Sequence, residues 1–311
     1  MAASSPDLPI RQALPAAFTD ASSLLTALVA LQGHDGDCTA LLDPSRFESI
    51  AQCAAAMGME ETAFAALPNL YGNFSPTLKA QGPRLFTAHL SDNKWSLICN
   101  EAVARQAASF IVHGEDAGEL QAHLKSLIKL QQPDGSKLLF RFHDSVVLSA
   151  LLPLLTPQQQ RMLLGPARHW LVLDVCGKPE IIASASAGGL RPSSLMLSAQ
   201  QLQALDVGLW PATIIAQADE TESTLLQGRN KCQRWQVIRQ AIARAQAHGL
   251  QFQEDVALYC VLSLQLPEDF DREGPVADAL QRARNEDIGF GTAIDQVPTE
   301  QWRVLDEILE R

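Results

Sequence analysis

The chain carries no motif for the common catalytic and nucleotide-binding chemistries. A G-x-S-x-G nucleophile elbow, an H-E-x-x-H metal helix, a P-loop and a strand leading into G-x-G-x-x-G are all missing, and Gly289-Phe290-Gly291 is an isolated glycine pair in a tail. Basic residues are in short supply: 24 Lys+Arg against 35 Asp+Glu leave a net charge of −11 and a pI near 5.1. That balance excludes a general nucleic-acid binder, which needs a basic stripe to neutralise phosphates. No apolar run reaches the ~18 residues of a membrane span, because prolines interrupt the leucine-rich stretches. Met1 to Gln12 has no basic stretch leading into an apolar run, so no signal peptide is expected. Cys38, Cys53, Cys99, Cys176, Cys232 and Cys260 form no C-x-x-C pair and sit mostly in apolar runs. They read as buried small hydrophobes of a reducing compartment rather than as zinc ligands or redox pairs. A cytoplasmic protein with no cofactor and no metal is the expectation, and internal repeats are absent.

What is present is an ordinary globular composition, with 47% hydrophobic and 19% charged residues over 311 positions. Strands and helices alternate through about residue 184, which predicts an α/β N-terminal lobe over 1–190 with a small mixed sheet. Predicted strands are Cys38 to Leu42, Arg84 to Leu90, Ser109 to His113, Lys137 to His143, and a hairpin of Trp170 to Val175 with Glu180 to Ser184. Predicted helices are Ala21 to Leu31, Phe47 to Met57, Trp95 to Gln106 and Asp116 to Leu130. Pro68 to Pro83 reads as a loop. The small, polar run Ser186 to Ser194 looks like a hinge, with the boundary near Pro192. Beyond it an all-α C-terminal lobe over 191–311 is expected, with helices from Ser198 to about Val207, Pro211 to Ala218, Glu222 to His248, Glu254 to Leu266, Pro275 to Asn285 and Thr299 to Leu309.

The most informative stretch runs from Asp134 to Trp170. Asp134-Gly135 is a turn signal, and the following run alternates Leu138, Phe140 and Phe142 against Leu139, Arg141 and His143. Asp144 stands where a helix N-cap is wanted, because its carboxylate can accept from the orphan N–H groups of the turn beginning Ser145-Val146-Val147. Val147, Leu148, Leu151, Leu152 and Leu155 then recur at helical spacing. Thr156-Pro157 caps and opens a second helix, which Gly165-Pro166 ends.

At these residues the chain resembles the family of the domain of unknown function 4123, the adaptor chaperones of type VI secretion effectors. Phe140, Arg141, Phe142, Asp144, Val147 and Leu148 follow the family wording F-R-F-Y-D-P-R-V-L, with the leucine-rich helix, Gly165-Pro166 and Trp170 behind them. His143, Ser145 and Val146 depart from it. Leu41-Leu42-Asp43 with Arg46, then Pro83-Arg84-Leu85-Phe86, then Leu120 to Leu130 precede the signature in the family's order. The resemblance extends from about Thr39 to Pro179. It implies a non-catalytic adaptor that binds the N-terminal segment of a type VI secretion effector, covers its apolar parts and helps load it onto the spike protein of the secretion machine.

The residues themselves leave two other classes open: a hydrolase or transferase with an unmotifed site, or a structural subunit of a larger assembly. Arg141, His143 and Asp144 could be taken for a catalytic cluster, but a capping Asp144 and a buried, paired Arg141 is the stronger reading. His34-Asp35-Gly36-Asp37-Cys38 reads as a tight turn rather than a cation site, since an oxygen-ligand site needs more carboxylates at regular spacing. Charge is uneven: residues 1–190 hold 13 Lys+Arg and 17 Asp+Glu, while 191–311 hold 11 and 18. Glu268, Asp269, Asp271 and Glu273 are four like charges in six residues, expected to face water or a basic partner, and they are the candidate partner-binding residues. A groove on the helical lobe, or between the lobes, is the expected client site.

Overall fold

The computed structural model describes residues 14–34, 36–114, 116–132, 134–183, 195–222 and 224–302. The chain divides into two compact units, Met1–Val207 and Gly208–Arg311. The expected hinge and the boundary near Pro192 lie outside the described residues, as do Met1 to Gln12 and Asp35.

In the first unit the strands are β1 (Asp37–Leu42), β2 (Arg84–Thr87), β3 (Ala108–His113), β4 (Lys129–Gln131), β5 (Lys137–Leu139), β6 (Ala167–Leu173) and β7 (Pro179–Ala183). Five of them form one sheet in the order β2-β1-β3-β6-β7, and β4 with β5 form a separate hairpin. Every strand pair is antiparallel, not mixed as the strand–helix alternation suggests. The reason is local to the connections: the helical segment from Asp43 to Pro83 returns the chain to the same end of the sheet, as a hairpin loop would, so β1 and β2 run in opposite directions.

Helices of this unit are α1 (Ala21–Gln32), α2 (Ile50–Ala56), α3 (Glu61–Ala66), α4 (Pro76–Ala80), α5 (Lys94–Arg105), α6 (Ala117–Leu127), α7 (Ser145–Leu151) and α8 (Pro157–Leu164). Both sheet faces are covered, which explains why strands such as β1 and β3 read as nearly continuous apolar runs. One face places Cys38, Ala40, Leu42, Phe110, Val112 and Leu171 against Leu24 and Leu28 of α1 and Trp95, Ile98 and Cys99 of α5. Alternate residues Leu41, Ile111, Trp170 and Val172 turn to the other face, against Leu120 and Leu124 of α6, Leu148 and Leu151 of α7 and Leu163 of α8.

Local chemistry sets most helix ends. Asp20 caps α1 by accepting from the Ser23 N–H at 2.8 Å, and Asp116 caps α6 through Gly118 and Glu119. Thr156 and Gln159 make the reciprocal capping box of α8. Gly165 ends that helix at φ 55°, and a Cβ there would lie 2.4 Å from the His123 ring, so both the backbone and the packing require glycine. The predicted helix Asp116 to Leu130 stops at Leu127, because Leu130 belongs to β4. The expected loop of residues 68–83 contains α4, opened by Ser75 and Pro76.

The helical elements beyond residue 198 are α9 (Ala199–Thr221), α10 (Lys231–Ala247), α11 (Gln253–Gln265), α12 (Pro275–Glu286) and α13 (Phe290–Asp295), with residues 299–302 helical at the end of the described chain. Ser198 accepts from the Gln201 N–H at 3.2 Å and so caps α9, as expected. The two helices predicted on either side of Pro211 are one. Pro211 lies inside α9 and leaves the Val207 carbonyl without its usual donor, in the turn where the two units meet along the chain. The predicted helix Glu222 to His248 begins only at Lys231, where Asn230 and Gln233 form a second capping box. The glycine pair Gly289 and Gly291 brackets the start of α13 rather than a tail.

Candidate functional site

The charged residues of the signature come together at the C-terminal end of β1. Asp43 follows Leu42 directly and caps a short 3₁₀ turn, Pro44–Arg46, accepting from the Ser45 N–H at 3.1 Å and the Ser45 hydroxyl at 2.6 Å. That turn projects Arg46 back, with its Nε 3.4 Å from Asp43 Oδ2 and its Nη2 donating to Asp144 Oδ1. Asp144 also accepts from the Val146 N–H at 3.0 Å, which makes it the N-cap of α7, and from Arg141 Nη2 at 3.3 Å. One carboxylate therefore does three things: it caps a helix, ties that helix to the end of β1, and holds Arg141.

The signature is not the strand its alternation predicts. Only Lys137–Leu139 pair as β5, and Phe140 to Asp144 form a turn whose pattern is buried, exposed, buried, buried, buried. Phe140 and Phe142 still point inward, with ring centroids 5.5 Å apart, and Phe142 meets Trp170 edge-on at 5.9 Å. Trp170 in turn donates from Nε1 to the Ser109 hydroxyl at 3.0 Å, satisfying its one polar group in the core. Leu148 is fully buried beside them. Burial of side chains of this size stabilises by roughly 1.5–3 kcal/mol each.

Arg141 is exposed, with 47% of its side chain accessible, so the expectation that it is buried is corrected: it is paired but lies at the surface. The more enclosed guanidinium is Arg46, at 28%. His143 is buried at 2%, with Nε2 3.9 Å from Asp43 Oδ1 and its ring edge-on to Tyr71 at 5.6 Å. Burial, and then the neighbouring charges of Arg141 and Arg46, hold the imidazole down to about 3 against the opposing pull of Asp144, so it is neutral at ordinary pH. Burial likewise raises the Tyr71 hydroxyl to about 12. Neither group is poised to exchange a proton near neutrality. The Tyr71 hydroxyl and His143 Nδ1 have no hydrogen-bond partner among the described residues.

Residues 38–162 match the family model described as "Domain of unknown function (DUF4123)". This segment, 125 of the chain's 311 residues, is similar to that family. No curated protein and no solved structure matches the chain. The DUF4123 segment opens on β1 and closes in α8, so it contains both carboxylates and both arginines of the cluster, and Arg84 besides. Arg84 is buried, donates to the Ala65 carbonyl at 3.1 Å and lies 5.2 Å above the Phe64 ring. Trp170 and the second unit fall outside the matched residues.

In the second unit the acidic segment separates by burial. Glu268, Asp269 and Glu273 are exposed, and Asp269 pairs with Arg272 at 3.0 Å. Asp271 is buried, contrary to the expectation that all four face water. It accepts from Arg244 at 2.7 Å, from the Tyr259 hydroxyl, and lies 2.9 Å from His248 Nε2. Burial alone would raise its pKa, but those hydrogen bonds outweigh it and hold the carboxyl at about 2. Asp271 is thus a packing residue of α10, α11 and the loop before α12. A run of like charges gave no hint of it because the signal is the three donors spread over Arg244, His248 and Tyr259.

Cys38, Cys53, Cys99 and Cys260 are buried free thiols. Cys176 and Cys232 are half-buried and do not belong to that set, so six buried thiols is an overcount. Among the described residues, no group of three or more His, Cys, Asp or Glu is arranged to hold a metal ion, and no helix is long and apolar enough to cross a membrane.

Proposed function

We infer that the protein is a non-catalytic, cytoplasmic adaptor that binds the N-terminal region of a type VI secretion effector, stabilises it and helps load it onto the spike protein of the secretion machine. The observation that carries this reading is the DUF4123 match over residues 38–162, in which the segments of the chain resembling the adaptor family, around Asp43 and around Asp144, meet in one ion-paired cluster. That cluster supports a binding role. Its carboxylates are engaged by Arg46, Arg141, Ser45 and the α7 N-terminus, and its histidine is held neutral in the core. Such groups fix a surface in place and leave recognition to the residues around it.

An adaptor between two proteins needs two contact surfaces. Exposed Glu268, Asp269 and Glu273 of the helical unit suit a basic partner, where charge steers association more than it sets affinity. Co-expression tests the reading: a cognate effector that is insoluble alone becomes soluble with this chain and co-purifies with it in fixed stoichiometry. An effector whose solubility is unchanged by the chain contradicts it.

A further inference from the structure

One cleft of the first unit is basic although the chain as a whole is acidic. It holds about 570 Å³ between the loop after Leu70, the C-terminal end of α6 and the β4–β5 hairpin. Its floor is apolar, from Leu70, Ile128 and the partly buried Phe74, and its rim carries Lys125, Lys129 and Lys137. These are three of the chain's seven lysines, and among the described residues no Asp or Glu lines the cleft. Among the described residues none of the three makes an ion pair, whereas Lys94 and Lys178 do.

The hairpin beside the cleft has an open edge. β5 pairs only with β4 among the described strands, and Leu138 and Leu139 are 43% and 40% exposed. Phe140 donates to the Ile128 carbonyl, so by the alternation of an antiparallel ladder Leu138 faces β4 while the backbone groups of Lys137 and Leu139 point away from it. An unpaired strand edge next to an apolar floor is the arrangement that takes up an extended peptide.

We propose that this cleft receives an extended acidic peptide segment, its carboxylates on Lys125, Lys129 and Lys137 and its apolar side chains on Leu70, Phe74 and Ile128. Within the adaptor reading, on which this rests, the occupant is the effector's N-terminal segment. A nucleic acid would supply phosphates to the lysines, but it leaves the apolar floor and the strand edge unused and meets a chain of net charge −11.

The test is fluorescence anisotropy with a labelled peptide of alternating Glu and Val, its Lys-for-Glu counterpart, and a single-stranded DNA oligonucleotide as competitor. The full chain binds the Glu/Val peptide and not the Lys/Val one. Lys125→Glu with Lys129→Glu, both exposed and so harmless to the fold, weakens binding at least about tenfold. Leu139→Pro, which removes an outward N–H and no hydrogen bond between β4 and β5, weakens it as well. Circular dichroism checks that each variant is folded. Failure of the wild-type chain to bind the Glu/Val peptide, unchanged binding by the charge-reversed variant, or displacement by the oligonucleotide overturns the proposal. The same variant co-expressed with an effector separates the two ideas. If it holds the effector as tightly as the wild type, the cleft is wrong and the adaptor reading stands. If the wild type holds no effector yet binds the peptide through these lysines, the adaptor reading fails and the cleft stands.

Discussion

Arg46 and Asp144 are 98 residues apart in the chain and joined in space: the guanidinium at the end of β1 donates to the carboxylate that caps α7. The contact binds the first strand of the sheet to the helix of the family signature. Because Arg46 also faces Asp43, and Arg141 also faces Asp144, the four charges form a chain in which each carboxylate meets a cation.

Asp144→Asn keeps a side-chain oxygen for the Val146 N–H but withdraws the charge from two arginines, whereas Asp144→Ala removes both. The alanine variant is therefore the less stable. It loses the cap, about 0.5–2 kcal/mol, in addition to the ion-pair loss that both share. For a pair this enclosed the shared part approaches the lower end of the range for buried pairs, about 3 kcal/mol. Urea denaturation of both variants measures this, and equal small losses would show that Asp144 does neither job.

Arg46 and Arg141 separate by exposure. Arg141→Met removes a contact of a half-exposed side chain and lowers stability by about 1 kcal/mol or less. Arg46→Met leaves Asp43 and Asp144 facing each other's vicinity with one cation fewer and costs at least twice as much. Chemical denaturation gives the ranking, and a larger loss for Arg141 would reverse the assignment.

His143 is neutral in the fold because burial disfavours its charged form, while in the unfolded chain it titrates near the ordinary 6.5. Between those values the unfolded state binds the extra proton, so stability falls as pH drops from about 6.5 towards 3. His143→Phe keeps the ring against Tyr71 and Phe142 and has no proton to gain. Its melting temperature should decline less between pH 7 and pH 5 than that of the wild type. Some slope persists from His113 and His123, whose pKa values are also lowered by burial. Parallel curves for the two proteins would contradict the assignment.

Asp271 works in a lower window. Its folded-state carboxyl titrates at about 2, below the ordinary value near 3.8, so its contribution is complete above about pH 4 and is lost as pH falls through about 2. Asp271→Asn should be less stable at pH 7 and flatter across that interval. Thermal melting from pH 5 to pH 2 reads the difference, and a variant as acid-sensitive as the wild type would remove Asp271 from the account.

What could be read from the sequence was what local chemistry decides. Asp144 as a cap, Thr156-Pro157 as a helix start and Gly165 as its end depend on residues a few positions apart, and all three are where expected. The strand over Lys137 to His143 was misread because alternation reports burial on two sides and not hydrogen bonding: Phe140 and Phe142 are inside, but on a turn. The helix across Pro211 was missed for a related reason, since a proline removes one donor and packing along α9 can outweigh that. Arg46 could be picked out only through the family resemblance, because nothing near it in sequence indicates a partner 98 residues away. Asp271 looked like its exposed neighbours until Arg244, His248 and Tyr259 converged on it.

The most direct measurement is the molar mass, by light scattering after size exclusion, of this chain co-expressed with a type VI effector whose N-terminal segment is intact and with the same effector lacking that segment. The adaptor account predicts a single species of fixed stoichiometry with the intact effector and free chain with the truncated one. Free chain in both cases, or an equal complex in both, would contradict it.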